Sequence, residues 1–244
     1  MRYPIRLLIV VAALVAVDAL RTRAAEVVAR GTDYGDHTVF AGKLPLMPGA
    51  TGTSANVTNK DYGLPSVSVD IDALPGAVGA SDVILRTGNS MDPGSWGLVG
   101  GSPTVTVLSG GGQGGSDRVV IELGAAVENA WLQTTVLPTA ATGLASPDVF
   151  YIGNLAGDVN GDFIVSAIDE NTIISYLNIP GDPNVGLDSP LDVNGDGLAT
   201  AADATSVVDI LNSGSYSLVV LPEPASLSIL AVMLGVFMVR RTRA

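Results

Sequence analysis

The chain of 244 residues has no cysteine and one histidine, His37. Without thiols there is no disulfide, no zinc–thiolate site and no cysteine nucleophile. A Ser-His-Asp triad would have to draw on that one imidazole, which lies in a weakly patterned stretch. Bases are scarce, with 12 Lys and Arg against 24 Asp and Glu and a formal net charge of −12. That balance argues against nucleic acid as a partner, because phosphates are held by Lys and Arg. Aromatic residues make up 5% of the chain, which is thin material for an exposed sugar-stacking row. Glycine (29) and proline (14) are abundant, and they favour turn-rich β structure over a helical bundle.

Seven of the twelve bases fall in the two end segments. Residues 1–25 carry Arg2 and Arg6, an apolar run from Leu7 to Val17, and then small residues. That is the plan of a cleaved signal peptide. The run spans only about 16 Å as a helix, against about 30 Å for a bilayer core. Residues 216–244 contain Pro222, Glu223 and Pro224, then an apolar run from Ala225 to Val239, then Arg240, Arg241 and Arg243. This ordered triplet, hydrophobic helix and basic end resembles the PEP-CTERM sorting signal of exported bacterial proteins. The resemblance implies recognition by an exosortase-type enzyme and delivery to the cell surface, outer membrane or extracellular matrix of a Gram-negative-type bacterium. Membrane contact is expected only through the two end segments. The mature chain expected from these signals, residues 26–221, holds 5 basic and 22 acidic residues, a formal charge of −17.

Within residues 26–147 several short segments alternate apolar and polar residues. SVSVDID puts Val67, Val69 and Ile71 on one face and Ser66, Ser68, Asp70 and Asp72 on the other, the pattern of a half-buried strand. DVILRT (82–87), TVTVLS (104–109), DRVVIEL (117–123) and AWLQTTVL (130–137) follow, separated by Gly, Pro, Asn or Ser clusters. HTVFA near Val39 is a further candidate, and residues 26–64 are otherwise weakly patterned. With no helical stretch between these segments, the expected fold is an antiparallel β-sandwich. GGGQGG (110–115) lacks the Lys-Ser/Thr ending of a phosphate loop and is expected to be a flexible hairpin loop. Trp96 and Trp131 are expected to pack in or at the edge of the core.

Residues 148–215 carry the strongest pattern. GDVNGDFIVSAIDE begins at Gly157, and LDVNGDGLATAADA begins at Leu191, 34 residues later. Each places oxygen side chains at alternate positions and an acid at the twelfth. A hard cation such as Ca²⁺ takes 6–8 oxygens, and a 12-residue loop offers them from positions 1, 3, 5, 7, 9 and 12. The first set is Asp158, Asn160, Asp162, the backbone carbonyl of Ile164, Ser166 and Asp169. The second is Asp192, Asn194, Asp196, the carbonyl of Leu198, Thr200 and Asp203. Two copies in register point to two Ca²⁺ ions. Position 6, which needs a sharp turn, is Gly197 in the second loop but Phe163 in the first, so the second site is expected to be tighter. A helix is expected after each loop. The first, 167–178, would turn Ile168, Ile173, Ile174 and Leu177 to one face, and the second, 201–212, Val207, Val208 and Leu211. Pro180 and Ser213-Gly214 would end them.

A paired loop-and-helix arrangement with Asp at position 12 resembles a type I dockerin. The resemblance implies a small helical pair clamped by calcium, and a cohesin-like or other surface protein as partner. Here positions 10 and 11 are Ala167-Ile168 and Ala201-Ala202, and the helices contain no Lys or Arg. The polar recognition residues of cohesin-binding dockerins are therefore missing, and docking on the chain's own sandwich is the competing expectation. The expected whole is a non-catalytic, exported surface or extracellular protein. An accessory role in polysaccharide degradation, carbohydrate-binding or glycoside hydrolase-associated, remains the alternative reading.

Overall fold

The structure is a computed structural model and describes residues 24–33, 39–40 and 43–221. The hydrophobic end segments, His37 and the Pro222–Glu223–Pro224 triplet lie outside the described residues. Among the described residues ten strands form two sheets. One sheet has the order β2-β1-β4-β8-β7 and the other β3-β10-β9-β5-β6. In chain order they are β1 (Glu26–Asp33), β2 (Val39–Phe40), β3 (Val57–Thr58), β4 (Leu64–Asp72), β5 (Val83–Gly88), β6 (Gly97–Leu98), β7 (Thr104–Leu108), β8 (Asp117–Val127), β9 (Ala130–Val136) and β10 (Asp148–Asn154). Two helices follow, α1 (Ala167–Leu177) and α2 (Ala201–Ser213). Among the described residues, no helix is long and apolar enough to cross a membrane.

The two sheets face each other across one apolar layer. Val67, Val69, Ile71, Val119 and Ile121 come from the first, and Val83, Leu85, Leu132, Val136, Phe150 and Ile152 from the second. Each strand contributes alternate residues, as the pleat requires. Most pairings are antiparallel; β3 runs parallel to β10, with Gly153 opposite Val57. The second sheet takes in Asp148–Asn154, so the sandwich reaches residue 154 rather than ending at 147.

Two sequence expectations need correction here. The polar side of β4 is not solvated: Ser66, Ser68 and Asp70 are all at most 2% exposed. β4 is the middle strand of its sheet, and the glycine-rich 110–116 loop folds back over it. The amide of Gln113 donates to Asp70 Oδ2 at 2.8 Å, and Arg118 grips the same carboxylate at 2.8 and 3.0 Å. A side chain at Gly112 would lie 2.8 Å from the Asp70 carboxyl carbon, so glycine is what lets the loop approach. The second correction concerns α1. Only Ile173 is buried, whereas Ile168, Ile174 and Leu177 are 61%, 38% and 39% exposed.

The helices do not hang from the sandwich on a linker. A second apolar cluster joins Leu46, Val57, Trp96 and Trp131 of the sandwich to Leu155, Val159, Val165, Ile173, Val193 and Val207 of the helical part. Trp131 is fully buried and donates from its indole nitrogen to Val219 O at 2.8 Å. Trp96 is 4% exposed and meets Tyr151 edge to face, with ring centroids 5.9 Å apart.

The stretch Tyr216–Leu221 closes this cluster. Leu218 and Leu221 are 3% and 4% exposed. Leu218 N donates to Phe163 O at 3.0 Å, and Gly52 N donates to Leu221 O at 3.0 Å. Removing these six residues should therefore destabilise the protein. Two buried leucines are worth about 1.5–3 kcal/mol each. A chain ending at Ser215 is expected to be at least about 3 kcal/mol less stable than one ending at Leu221, as measured by urea unfolding of both.

Candidate metal centre

Each loop leads directly into a helix, and the same side chains shape both. Ser166 is the N-cap of α1; its Oγ accepts from Ile168 N at 3.2 Å, and Asp169 accepts from Ser166 N at 2.8 Å. Thr200 and Asp203 repeat this at α2, at 3.2 and 2.8 Å. These are reciprocal caps with Asp in place of the usual Glu or Gln. Asp169 also reaches across the loop, where Oδ1 accepts from Val159 N at 2.8 Å and Asn160 N at 3.0 Å. Asp203 does the same with Val193 N at 2.8 Å and Asn194 N at 3.1 Å. The twelfth residue thus ties the start of its loop to the first turn of its helix.

The first residue organises the turn. Asp158 Oδ1 accepts from Gly161 N and Asp162 N at 2.8 and 3.2 Å, and Oδ2 from Phe163 N at 3.1 Å. Asp192 accepts from Gly195 N, Asp196 N and Gly197 N at 2.8, 3.0 and 3.1 Å. Position 6 is left-handed in both loops, with φ of +69° at Phe163 and +82° at Gly197. That conformation costs a side-chain-bearing residue about 1–2 kcal/mol. The ring of Phe163 packs against the second apolar cluster, which offsets part of that cost.

Position 7 is held by a short bridge in each loop. Ile164 stands opposite Ser217, and Leu198 opposite Asn184. The bonds flanking the first bridge are Val165 N to Tyr216 O and Leu218 N to Phe163 O. Those flanking the second are Ala199 N to Pro183 O and Val185 N to Gly197 O. In such a pair the central residue's own carbonyl points away from its partner strand. Ile164 O and Leu198 O are therefore left out of the ladder, as metal ligands at this position must be. The segment trailing α1 closes the second loop, and the segment trailing α2 closes the first.

Among the described residues no three carboxylates, imidazoles or thiols gather tightly enough to hold an ion by themselves. Each loop instead offers a mixed oxygen set of carboxylate, amide, hydroxyl and backbone carbonyl, which suits Ca²⁺ rather than a transition metal. A carboxylate has about four acceptor sites, so Asp158 and Asp192 keep capacity after their three amides. Asp158, Asp169, Asp192 and Asp203 are 7%, 0%, 0% and 0% exposed. Buried charge of one sign calls for a cation. The residues fit the ion: Asp158, Asn160, Asp162, Ile164 O, Ser166 and Asp169 would hold one, and Asp192, Asn194, Asp196, Leu198 O, Thr200 and Asp203 the other.

Docking on the chain's own sandwich was an open expectation, and the residues that make the contact were not identified from the sequence. The residues after β3 run along the module. Gly157 N donates to Asn59 O at 3.0 Å, Asn59 Nδ2 to Pro190 O at 2.6 Å, and Asp61 N to Val193 O at 3.0 Å. Ser206 on α2 donates to Asp61 Oδ2 at 2.8 Å. Lys60, 1% exposed, points its ammonium at the second loop, 3.3 Å from Asp192 Oδ2. Lys43, the other lysine between the end segments, donates to Ser54 O at 3.2 Å. The one available signal was that only two lysines lie between the end segments.

A family model, the dockerin type I domain, matches residues 156–212. The match supports a calcium-binding docking module over that stretch. No curated protein matches the chain.

Two outcomes follow from this geometry. Asp203→Ala leaves the amides of Val193, Asn194 and Thr200 without their acceptor. Loss of this buried, multiply bonded carboxylate is expected to cost about 3–5 kcal/mol in urea unfolding. The second concerns pH. Burial, reinforced by Asp169 and Asp162 and opposed by the amides of Phe163 and Gly161, pushes the Asp158 carboxyl above its ordinary 3.8. Folded protein without calcium then holds this proton more tightly than the unfolded chain. Asp158's contribution to metal-free stability therefore falls as pH rises from 3.8 through the folded value. Calcium needs the carboxylate, so first-loop affinity is expected to drop as pH is lowered toward that value, in calorimetric titrations at pH 7 and pH 5.

Proposed function

We propose that this is a non-catalytic, exported surface or extracellular protein whose dockerin-type module binds two Ca²⁺ ions and docks. One face of the module is seated on the chain's own sandwich, and the other is offered to a cohesin-like protein. The observation that carries this reading is the donor-for-donor agreement of the two loops, down to the amides bound by Asp158 and Asp192 and by Asp169 and Asp203. The helix starts support the outward-facing role. Ala167, Ile168, Ala201 and Ala202 are all exposed, so a partner would meet an apolar surface rather than a polar one.

Two clefts bear on the non-catalytic reading. One apolar cleft, of about 300 Å³, is walled by Leu46, Met47, Met91, Tyr151 and Leu221, with the single carboxylate of Asp92; another carries Glu26 and Asp148, and there Arg30 holds Asp148 at 2.8 Å. Glycoside hydrolysis uses two carboxyl groups across a cleft. The two tryptophans that could serve as sugar platforms are buried, which counts against the polysaccharide-accessory reading. Export and processing by an exosortase-type enzyme rest on the composition of the end segments.

Calorimetric titration of the chain from residue 26 to 221 with calcium tests the module. The expected result is two binding events, and a melting temperature higher in calcium than in chelator. At free calcium 100 times the Kd, each site adds about 2.7 kcal/mol. Asp192→Ala/Asp196→Ala should abolish one event and spare the other. No binding up to millimolar calcium would sink the calcium reading.

A further inference from the structure

The two loops match each other, but their surroundings differ by one charge. Lys60 lies two residues beyond β3 and is among the largest fully buried side chains of the protein. Its ammonium has three hydrogens and three acceptors, all at the start of the second loop. They are Ser189 O at 3.3 Å, Asp192 O in a short contact, and the Asp192 carboxylate at 3.3 Å. The lysine's own carbonyl accepts from Asn154 Nδ2 at 3.1 Å at the end of β10, so both ends of the residue are fixed. The neighbouring backbone is bound to the same loop through Asp61 N and Val193 O. Tyr62 lies so close that a side chain at Gly195 would come within 2.6 Å of its ring. Among the described residues no ion pair holds Asp158, which meets Lys43 only through longer-range attraction. Lys43 lies toward that side of the module but bonds to Ser54 O instead.

We infer that Lys60 is a resident cation of the second loop, a positioning residue from the sandwich that neutralises Asp192 and keeps this loop folded when calcium is absent. Calcium and Lys60 then act on the same carboxylate and repel each other. The second loop gains less from the metal than its sequence suggests, and the first is the loop whose order depends on calcium. Gly197 at the turn and Lys60 at the first ligand pull the second site's affinity in opposite directions.

This rests on the calcium reading above, and the test separates the two. Full-length wild type, Lys60→Met and Lys60→Arg are melted in chelator and in saturating calcium. Hydrogen exchange is then followed over both loops in chelator. Lys60→Met should melt lower than wild type in chelator. It should also gain at least about 3 °C more than wild type on adding calcium, corresponding to about tenfold in affinity for a chain of this length. Lys60→Arg, which keeps the charge, should show the smaller wild-type gain. In wild type without calcium, the amides of Gly195–Gly197 should exchange more slowly than those of Gly161–Phe163. An equal or smaller calcium gain in Lys60→Met overturns the inference. If that variant does not fold, equal or reversed exchange of the two wild-type loops overturns it. A wild type that binds no calcium at all would instead overturn the calcium reading itself.

Discussion

Four aspartates with almost no access to water set the terms for the helical half of this protein. Asp158, Asp169, Asp192 and Asp203 are surrounded by backbone N–H groups, and apart from those of Asp162 and Asp196, which also reach an Asn side chain, the amides they bind would otherwise be left unpaired by the turn. The loops keep their shape because these carboxylates need donors, and the helices start where they do because the last carboxylate of each loop is also a cap. Hydrogen bonds from neutral amides lower the cost of burying a carboxylate but do not cancel its charge. The rest of the module can be read as ways of bringing positive charge to that place. One way is the metal, and the other is Lys60.

The seat on the sandwich follows from size. About 60 residues with two short helices bury little apolar surface by themselves. Here the deficit is made up by Trp131, Trp96, Val57 and Leu46, which lend their inner faces to a cluster shared with the helices. The same contact leaves the exposed isoleucines of α1 on the far side. The two repeats are also cross-closed, each trailing segment bridging the other repeat's loop. Neither repeat is complete without its neighbour, and the match to a known family covers 156–212 but not the closing segment or the 57–62 strap.

Much of this was legible in the sequence, for physical reasons. The paired loops could be read because their oxygen side chains recur at a fixed spacing. Five of the strands were visible as alternation, and both helix ends were marked by their caps. β1 was missed because a bulge between Val27 and Ala29 breaks its alternation. β4 was read as half-buried because the glycine loop that covers its polar face comes from 40 residues further on, and nothing local announces it. The α1 face was misread because its apolar residues do not share one side: Ile168 lies about half a turn from Leu177, so periodicity could not choose the buried side. Lys60 was invisible for a different reason. A lone lysine in a polar stretch looks like any solvated base until the chain brings it to Asp192.

The closing segment also decides where mechanical load enters the molecule. The last described residue, Leu221, is tied to Gly52, and the residues before it to Trp131, Asn89 and the first loop. Tension applied to the chain beyond Leu221 would peel these contacts in order toward residue 216. It would reach the Val165–Tyr216 and Leu218–Phe163 bonds before it reached either sheet of the sandwich core. The first loop would then act as the fuse of the assembly, the part that opens first under a pull, while the second loop and the sandwich remain closed around Lys60.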